Sequence, residues 1–135
     1  YGSVTDKDAS TAQSLGATTW TKLTAFTADG LTKNTTNAHA SDKVTVTNAG
    51  IYLVNLTANF TTGAATDAGL AVYWNGSATV AKSNRTTSTT SDVASVAVNG
   101  LINATAGTDF EVYAYLGSAT TITIKDMVLT VVRVA

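Results

Sequence analysis

The sequence predicts an all-β chain, a sandwich or barrel of antiparallel strands, and three observations carry that expectation. Thr is the commonest residue and Val is abundant, and branched side chains fit a pleated, half-buried surface. Apolar residues alternate over short runs, most clearly in VTVTNAGIYLVNLTANF at 44–60, where Tyr52, Val54, Leu56, Ala58 and Phe60 form one continuous row. Turn signals recur as ADG at 28–30, NAG at 48–50 and NG at 75–76 and 99–100, while no segment sustains a helical period.

Taken in order, residues 1–19 are small and polar without a clean period, and read as an N-terminal arm, mobile or ordered only against a neighbour. WTKLTAF at 20–26 alternates and makes a first strand; residues 20–135 form a single domain. The stretch 28–42 is a long polar connection with too much Asn and Thr for a helix. Two strands follow, broken at NAG. DAGLAVYWNGSATVAKSN at 67–84 is a hairpin, because Asn-Gly between apolar-rich arms favours a tight two-residue turn. A polar loop spans 85–92, two strands flank NATAGTD within 93–117, and TITIKDMVLTVVRVA at 121–135 is the longest strand candidate. Loops at 28–42, 61–68 and 84–92 are expected to face outward.

Composition removes several classes of function. A chain of 135 residues is one domain, long enough to bury roughly 68–70% of its unfolded surface. Net charge is −1, with basic residues scattered singly, so no cationic stripe is available for nucleic acid. No apolar run approaches the roughly 20 residues of a helical membrane span, so membrane insertion is not expected. Cysteine is absent, which removes disulfides and thiolate metal sites, and proline is absent, so Gly, Asn and Asp must make the turns.

Chemistry-bearing residues are sparse. One His and one Glu leave little material for catalysis, and no nucleophile elbow or phosphate-binding glycine loop occurs; the expectation is a non-enzyme. His39 reads as an ordinary loop histidine. Asp109 and Glu111 share a strand face and are the weak candidates for a cation site, and the DKD pair Asp6 and Asp8 offers two further oxygens. Asn-x-Ser/Thr occurs at Asn34, Asn55, Asn59, Asn75, Asn84 and Asn103, a pattern that a Thr-rich chain produces by chance. Trp20, Tyr73 and Trp74 could form stacking platforms for sugar. Tyr73 and Trp74 point opposite ways on a strand, so at least one faces outward as a possible ligand contact.

The terminal strand places Met127, Val128, Leu129, Val131, Val132 and Val134 on both faces. A strand apolar on both sides needs cover on both sides, and in a helix-free sandwich the second cover is another chain. The competing explanation is a local bulge near Lys125–Asp126 in a central strand.

DKVTVTNAGIYLVNLTANF, with turn glycine Gly50 and aromatic Tyr52, resembles the strand–Gly–x–Tyr–strand core of tumour-necrosis-factor-like and complement-globular-head domains. SVAVNGLINATAGTDFEVYAY, with its Gly107–Thr108–Asp109 step, and IKDMVLTVVRV follow in the family's order, so the resemblance spans about residues 20–135. The Thr/Asn-rich style looks like versions in bacteriophage and environmental virus structural proteins. The turn before Gly50 lacks the family's common proline.

The resemblance implies a jelly roll of two antiparallel sheets assembling as a homotrimer. By position, it implies an interface of Ile51, Leu53, Asn55, Thr57 and Asn59, of Glu111, Tyr113 and Tyr115, and of Leu129 and Val131. No cofactor is implied, although an axial calcium or other cation near Asp109 or Glu111 fits a threefold axis. The implied function is a virion-surface structural protein that decorates a capsid, docked through the 1–19 arm, with viral capsid or tail-fibre proteins as partners. The alternatives are a phage tail-fibre or receptor-binding tip that recognises host glycan or protein, and a cell-surface adhesin or filament subunit.

Overall fold

The computed structural model describes residues 1–7 and 10–135. The elements are strands β1 (Gly2–Asp6), β2 (Thr11–Leu15), β3 (Thr21–Lys22), β4 (Ala28–Thr32), β5 (Thr35–Ala38) and β6 (Lys43–Val46), with a 3-10 turn at His39–Ser41 before β6. Then come β7 (Gly50–Thr62), β8 (Thr66–Trp74), β9 (Ala78–Thr87), β10 (Ala94–Ala104), β11 (Asp109–Leu116) and β12 (Thr120–Arg133). They form two antiparallel sheets packed face to face. The first has the order β10-β7-β12-β1-β4 with β2 also on β12, and the second β5-β6-β11-β8-β9 with β3 also on β11. From β9 onward the chain crosses between the sheets at each step: β10, β11 and β12 alternate.

The 3.6-free periodicity of the sequence explains the core. Along β7 the row Tyr52, Val54, Leu56, Ala58 and Phe60 is buried between the sheets. It meets Phe110, Val112, Ala114 and Leu116 of β11 and Leu70 and Val72 of β8. Each fully buried side chain of this size contributes roughly 1.5–3 kcal/mol relative to an exposed one. Tyr52 keeps its polar end satisfied, its hydroxyl donating to the Asn48 carbonyl at 2.7 Å. The Asn75–Gly76 turn joins β8 to β9 with both residues at positive φ, 51° and 67°, the geometry a two-residue hairpin requires.

The terminal strand is resolved by a bulge. Ile122 and Ile124 face the core before it, and Met127, Leu129 and Val131 after it, so the inward parity changes from even to odd. The β7–β12 register slips between Ile124 and Asp126, at Lys125. Opposite the bulge the N-terminal strand is itself interrupted: β1 pairs with Met127–Val131 and β2 with Thr120–Ile124. Leu129 and Val131 are therefore core residues at 0% exposure, which corrects their assignment to an intermolecular interface. Val128, Thr130 and Val132 are the outward residues of that segment.

Four further expectations are corrected. Residues 1–19 do not stand apart as an arm, because β1 and β2 belong to the first sheet and Val4 and Leu15 are in the core. Their polar residues misled because alternation with small or charged inward groups, Gly2 and Asp6, hides the period. The 28–42 connection contains β4 and β5, and of the 84–92 loop residues 84–87 continue β9. Asn99–Gly100 lies inside β10 rather than at a turn; Gly100 serves close packing, since a Cβ there would meet Val80 Cγ1 at 2.8 Å.

Two stability effects follow. Leu129→Ala is expected to cost about 2–5 kcal/mol and Val128→Ala under about 1 kcal/mol in urea unfolding, because only the first leaves a core cavity. Asp6 is fully buried; Thr27 Oγ1 donates to its Oδ1 at 3.2 Å, and Oδ2 has no partner among the described residues. Burial, with a smaller contribution from Asp126, raises its carboxyl above the usual range despite hydrogen bonds from Thr11 and Thr27. A raised native value means that the folded chain holds the extra proton. Its stabilising contribution is present below the unfolded value of 3.8 and is lost as pH rises through the native value. Asp6→Asn should therefore raise the neutral-pH Tm, and the gain should vanish in melts taken down toward about pH 3.

Candidate functional site

Two surfaces present organised side chains, one on each sheet. The outward face of the first sheet is built from cross-strand rows over β10, β7 and β12. Leu101, Leu53 and Val132 form one row, and Asn99, Asn55 and Thr130 the next. Ala97, Thr57 and Val128 follow, then Ser95, Asn59 and Asp126, with Ser95 Oγ donating to Asn59 Oδ1 at 2.7 Å. One end is apolar, where Leu101 is 66% and Ile51 41% exposed, and the other is polar. A shallow groove of about 350 Å³ lies over the Thr57 and Asn59 rows. Of the residues assigned to an interface, Ile51, Leu53, Asn55, Thr57 and Asn59 thus share this face with one another.

Glu111, Tyr113 and Tyr115 do not join them. They lie on β11 in the second sheet, on its outward face, at the far side of the sandwich. β11 is therefore not the strand beside β7, and the two sets form two separate patches; a cyclic interface joins unlike patches of each protomer. Glu111 pairs with Lys22 Nζ at 2.6 Å, and Asp109 with Lys43 Nζ at 2.8 Å. Burial opposes ionisation of Asp109, but hydrogen bonds from Lys43 and Thr45 outweigh it and hold the carboxyl below its usual range. Both carboxylates are thus engaged by lysines of neighbouring strands. Asp8 of the DKD pair lies outside the described residues, and among the described residues no group of three or more His, Cys, Asp or Glu converges.

The aromatic residues cluster on this second face. Tyr73 stacks on Tyr113 with centroids 4.2 Å apart and planes 12° from parallel, and Trp20 lies 5.5 Å from Tyr115 and 6.2 Å from Tyr73. Burial pushes the Tyr113 hydroxyl up, helped by Glu111 and Tyr73. Trp74 turns the other way and packs against the margin of the core. Of the two aromatics offered for ligand contact, Tyr73 alone is on the outward face, and its partner there is Tyr113.

Beside this cluster is an open cleft of about 460 Å³ lined by Trp20, Tyr115, Asp67, Lys82, Asn84, Arg85 and Thr86, with Ala68 at its base. Its cause is a shortage of side chain on the middle strand. Tyr115 of β11 is opposite Gly69 of β8, and Gly69 is opposite Asn84 of β9; in the next row Ala71 stands between Tyr113 and Lys82. A Cβ on Gly69 would strike Asn84 Oδ1 and lie 3.0 Å from Trp20 Cη2, so only glycine lets the indole and the amide close over the strand. Trp20 is carried there by the irregular chain around β3, anchored by Thr18 N–H to the Leu116 carbonyl and Leu23 N–H to the Val112 carbonyl, both 2.8 Å. Asp67 Oδ1 accepts from Thr86 Oγ1 at 2.7 Å.

Sequence reasoning missed this cleft. Its signals were the lone glycine within the DAGLAVYW strand and the period-two row Lys82, Asn84 and Thr86. Neither reveals that Trp20 folds over them from a segment nearly fifty positions earlier. His39, the single histidine, lies away from the cleft with Nδ1 3.0 Å from Asp29 Oδ2, and its backbone N–H lowers the Asp29 carboxyl.

No protein-family model matches the chain, and no curated protein sequence matches it. Among solved structures it is similar to the Eiger TNF of S. frugiperda, with a TM-score of 0.70 at 10% identity, over 98% of this chain and 92% of that one. At that identity the likeness is one of fold: the chain is an antiparallel two-sheet sandwich of TNF-like, jelly-roll form.

Proposed function

We propose that the chain is a non-enzymatic, homotrimeric surface module, serving as a virion-surface structural protein that stabilises the shell it decorates. The observation that carries the trimer is the outward face of the first sheet. Every strand there is hydrogen-bonded to its neighbours, yet Ile51, Leu53, Leu101 and Val132 present an apolar end to water beside rows of Asn and Thr able to pair with copies of themselves. Burying such an end is worth roughly 25 cal/mol per Å², and the polar rows supply register. The TNF-like form of the sandwich supports the same reading. The extracellular particle as its location rests on the resemblance of its Thr/Asn-rich style to virus structural proteins. Since β1 and β2 are integral to the sheet, attachment to a carrier is assigned to the assembled surface and not to a free arm.

The alternative of a fibre or receptor-binding tip has one observation in its favour, the Trp20–Tyr115 cleft. It lies on the sheet opposite the open face, so an assembly made through the open face alone would leave it accessible.

Light scattering over a dilution series should give a mass near three times the 13.8 kDa chain. Leu53→Asp and Leu101→Asp should each return the chain to a folded monomer. A parent protein that is monomeric at all concentrations would refute the trimer. Particles produced without the protein should lose infectivity sooner on heating or in low salt, and added protein should restore it; unchanged resistance would remove the stabilising role.

A further inference from the structure

The cleft on the second sheet brings aromatic, neutral polar and charged residues together. Trp20 and Tyr115 supply two aromatic faces inclined at 39°, on which the C–H face of a pyranose ring can stack. Asn84 and Thr86 supply neutral hydrogen-bonding groups for ring hydroxyls, and Asp67 a carboxylate acceptor. The volume of about 460 Å³ is that of a small-ligand site and suits one or two sugar units.

Charge narrows the class. On this sheet Lys22 and Lys43 are each paired with a carboxylate. Lys82 and Arg85, which line the cleft, make no ion pair among the described residues. Against these two cations stands one carboxylate, Asp67, already held by Thr86. The cleft is therefore cationic on its β9 side and aromatic on its β11 side. Arg85 is opposite buried Ala68 and so leaves the edge strand on the other side from Lys82, Asn84 and Thr86; Lys82 is the cation on the cleft's own face and Arg85 stands at its rim.

We infer that the cleft binds an acidic saccharide, its ring stacked on Trp20 and Tyr115 and its carboxylate held by Lys82, with Arg85 adding positive charge at the rim. This deepens the receptor-binding reading of the cleft and rests on it; it does not require the trimer. The shared chemistry is a carboxylate-bearing pyranose, whether a sialic acid or a hexuronic acid.

The test is calorimetric titration of the full chain with 3′-sialyllactose, with an oligogalacturonate and with neutral lactose, at millimolar ligand. At least one acidic sugar should bind saturably and lactose at least about tenfold more weakly, and the acidic sugar that binds identifies the source. Lys82→Ala with Arg85→Ala should weaken acidic-sugar binding about tenfold, about 1.4 kcal/mol, with an unchanged Tm because both side chains are exposed. Trp20→Ala should abolish binding; because Trp20 also packs on Tyr73, Gly69→Ala, which displaces the indole or the Asn84 amide, serves as the second variant. Equal affinity for lactose would overturn the acidic class while leaving a sugar-binding tip standing. Absence of binding by all three would overturn both. Full affinity in the Lys82/Arg85 variant would place the ligand elsewhere and overturn the site.

Discussion

The constraint on which the rest of this molecule depends is the pairing of β7 with β12 across a bulge. β7 supplies an uninterrupted inward row from Tyr52 to Phe60, and β12 must match it over its whole length while also closing against β1 and β2. Because strand side chains alternate strictly, a single slip reverses every face beyond it. The extra residue at Lys125 makes that reversal once, and the chain's apolar residues are written to suit it: Ile122 and Ile124 on one side, Met127, Leu129 and Val131 on the other. Without the bulge, one of these two groups would face water. The N-terminal strand breaks at the same level, so the irregularity is shared across strands and Lys125 Nζ reaches Ser10 Oγ at 3.2 Å over the gap.

The two outward faces then diverge in character. On the first sheet, outward residues are Asn, Thr, Ser and a few aliphatics, with Asp126 and no Lys, Arg or Glu along the β10–β7–β12 rows from Leu101 to Ser95. On the second, charged pairs and aromatics crowd β11 and β3, and the middle strand recedes to Gly69 and Ala71. A face of short polar groups can meet its own copy without bringing like charges together. A face carrying Lys82, with Arg85 at its rim, neither of which makes an ion pair among the described residues, would bring like charges together on meeting its own copy. The two outward faces thus differ in charge and relief, with the core between them.

Much of this was legible in the residues. The inward row of β7 was plain because five apolar side chains fall at period two without a break. The Asn75–Gly76 hairpin was plain because few other dipeptides accept two successive positive φ angles. What escaped the sequence was anything that depends on which strand lies beside which. β1 hides its inward face behind Gly2 and Asp6, and one of its two partners, β12, is more than a hundred residues away. The doubly apolar terminal strand admitted either a second chain or a bulge, and the bulge accounts for Leu129 and Val131 while Val128 and Val132 stay outward. The order of β7 and β11 in different sheets separated Glu111, Tyr113 and Tyr115 from Ile51 and Leu53. Nothing local to either strand encodes that separation. The cleft was the hardest to read, since it is made by a missing side chain at Gly69 and a visiting one at Trp20.

The placement of β1 beside β12 also sets an order of events during biosynthesis. Gly2 is opposite Val131, so β1 can pair early with β4 but meets its other partner, β12, only after every intervening strand has been made. Until then β7 and β10 can pair with each other, but the sheet lacks its middle and offers an open edge. Closing such distant pairings is slow, because the entropy of the loop is lost before the contacts form. Nascent chains crowded on one message would hold complementary edges close together during that delay. Exchange of the N-terminal strand between neighbouring copies is the misassembly to which this topology is most open.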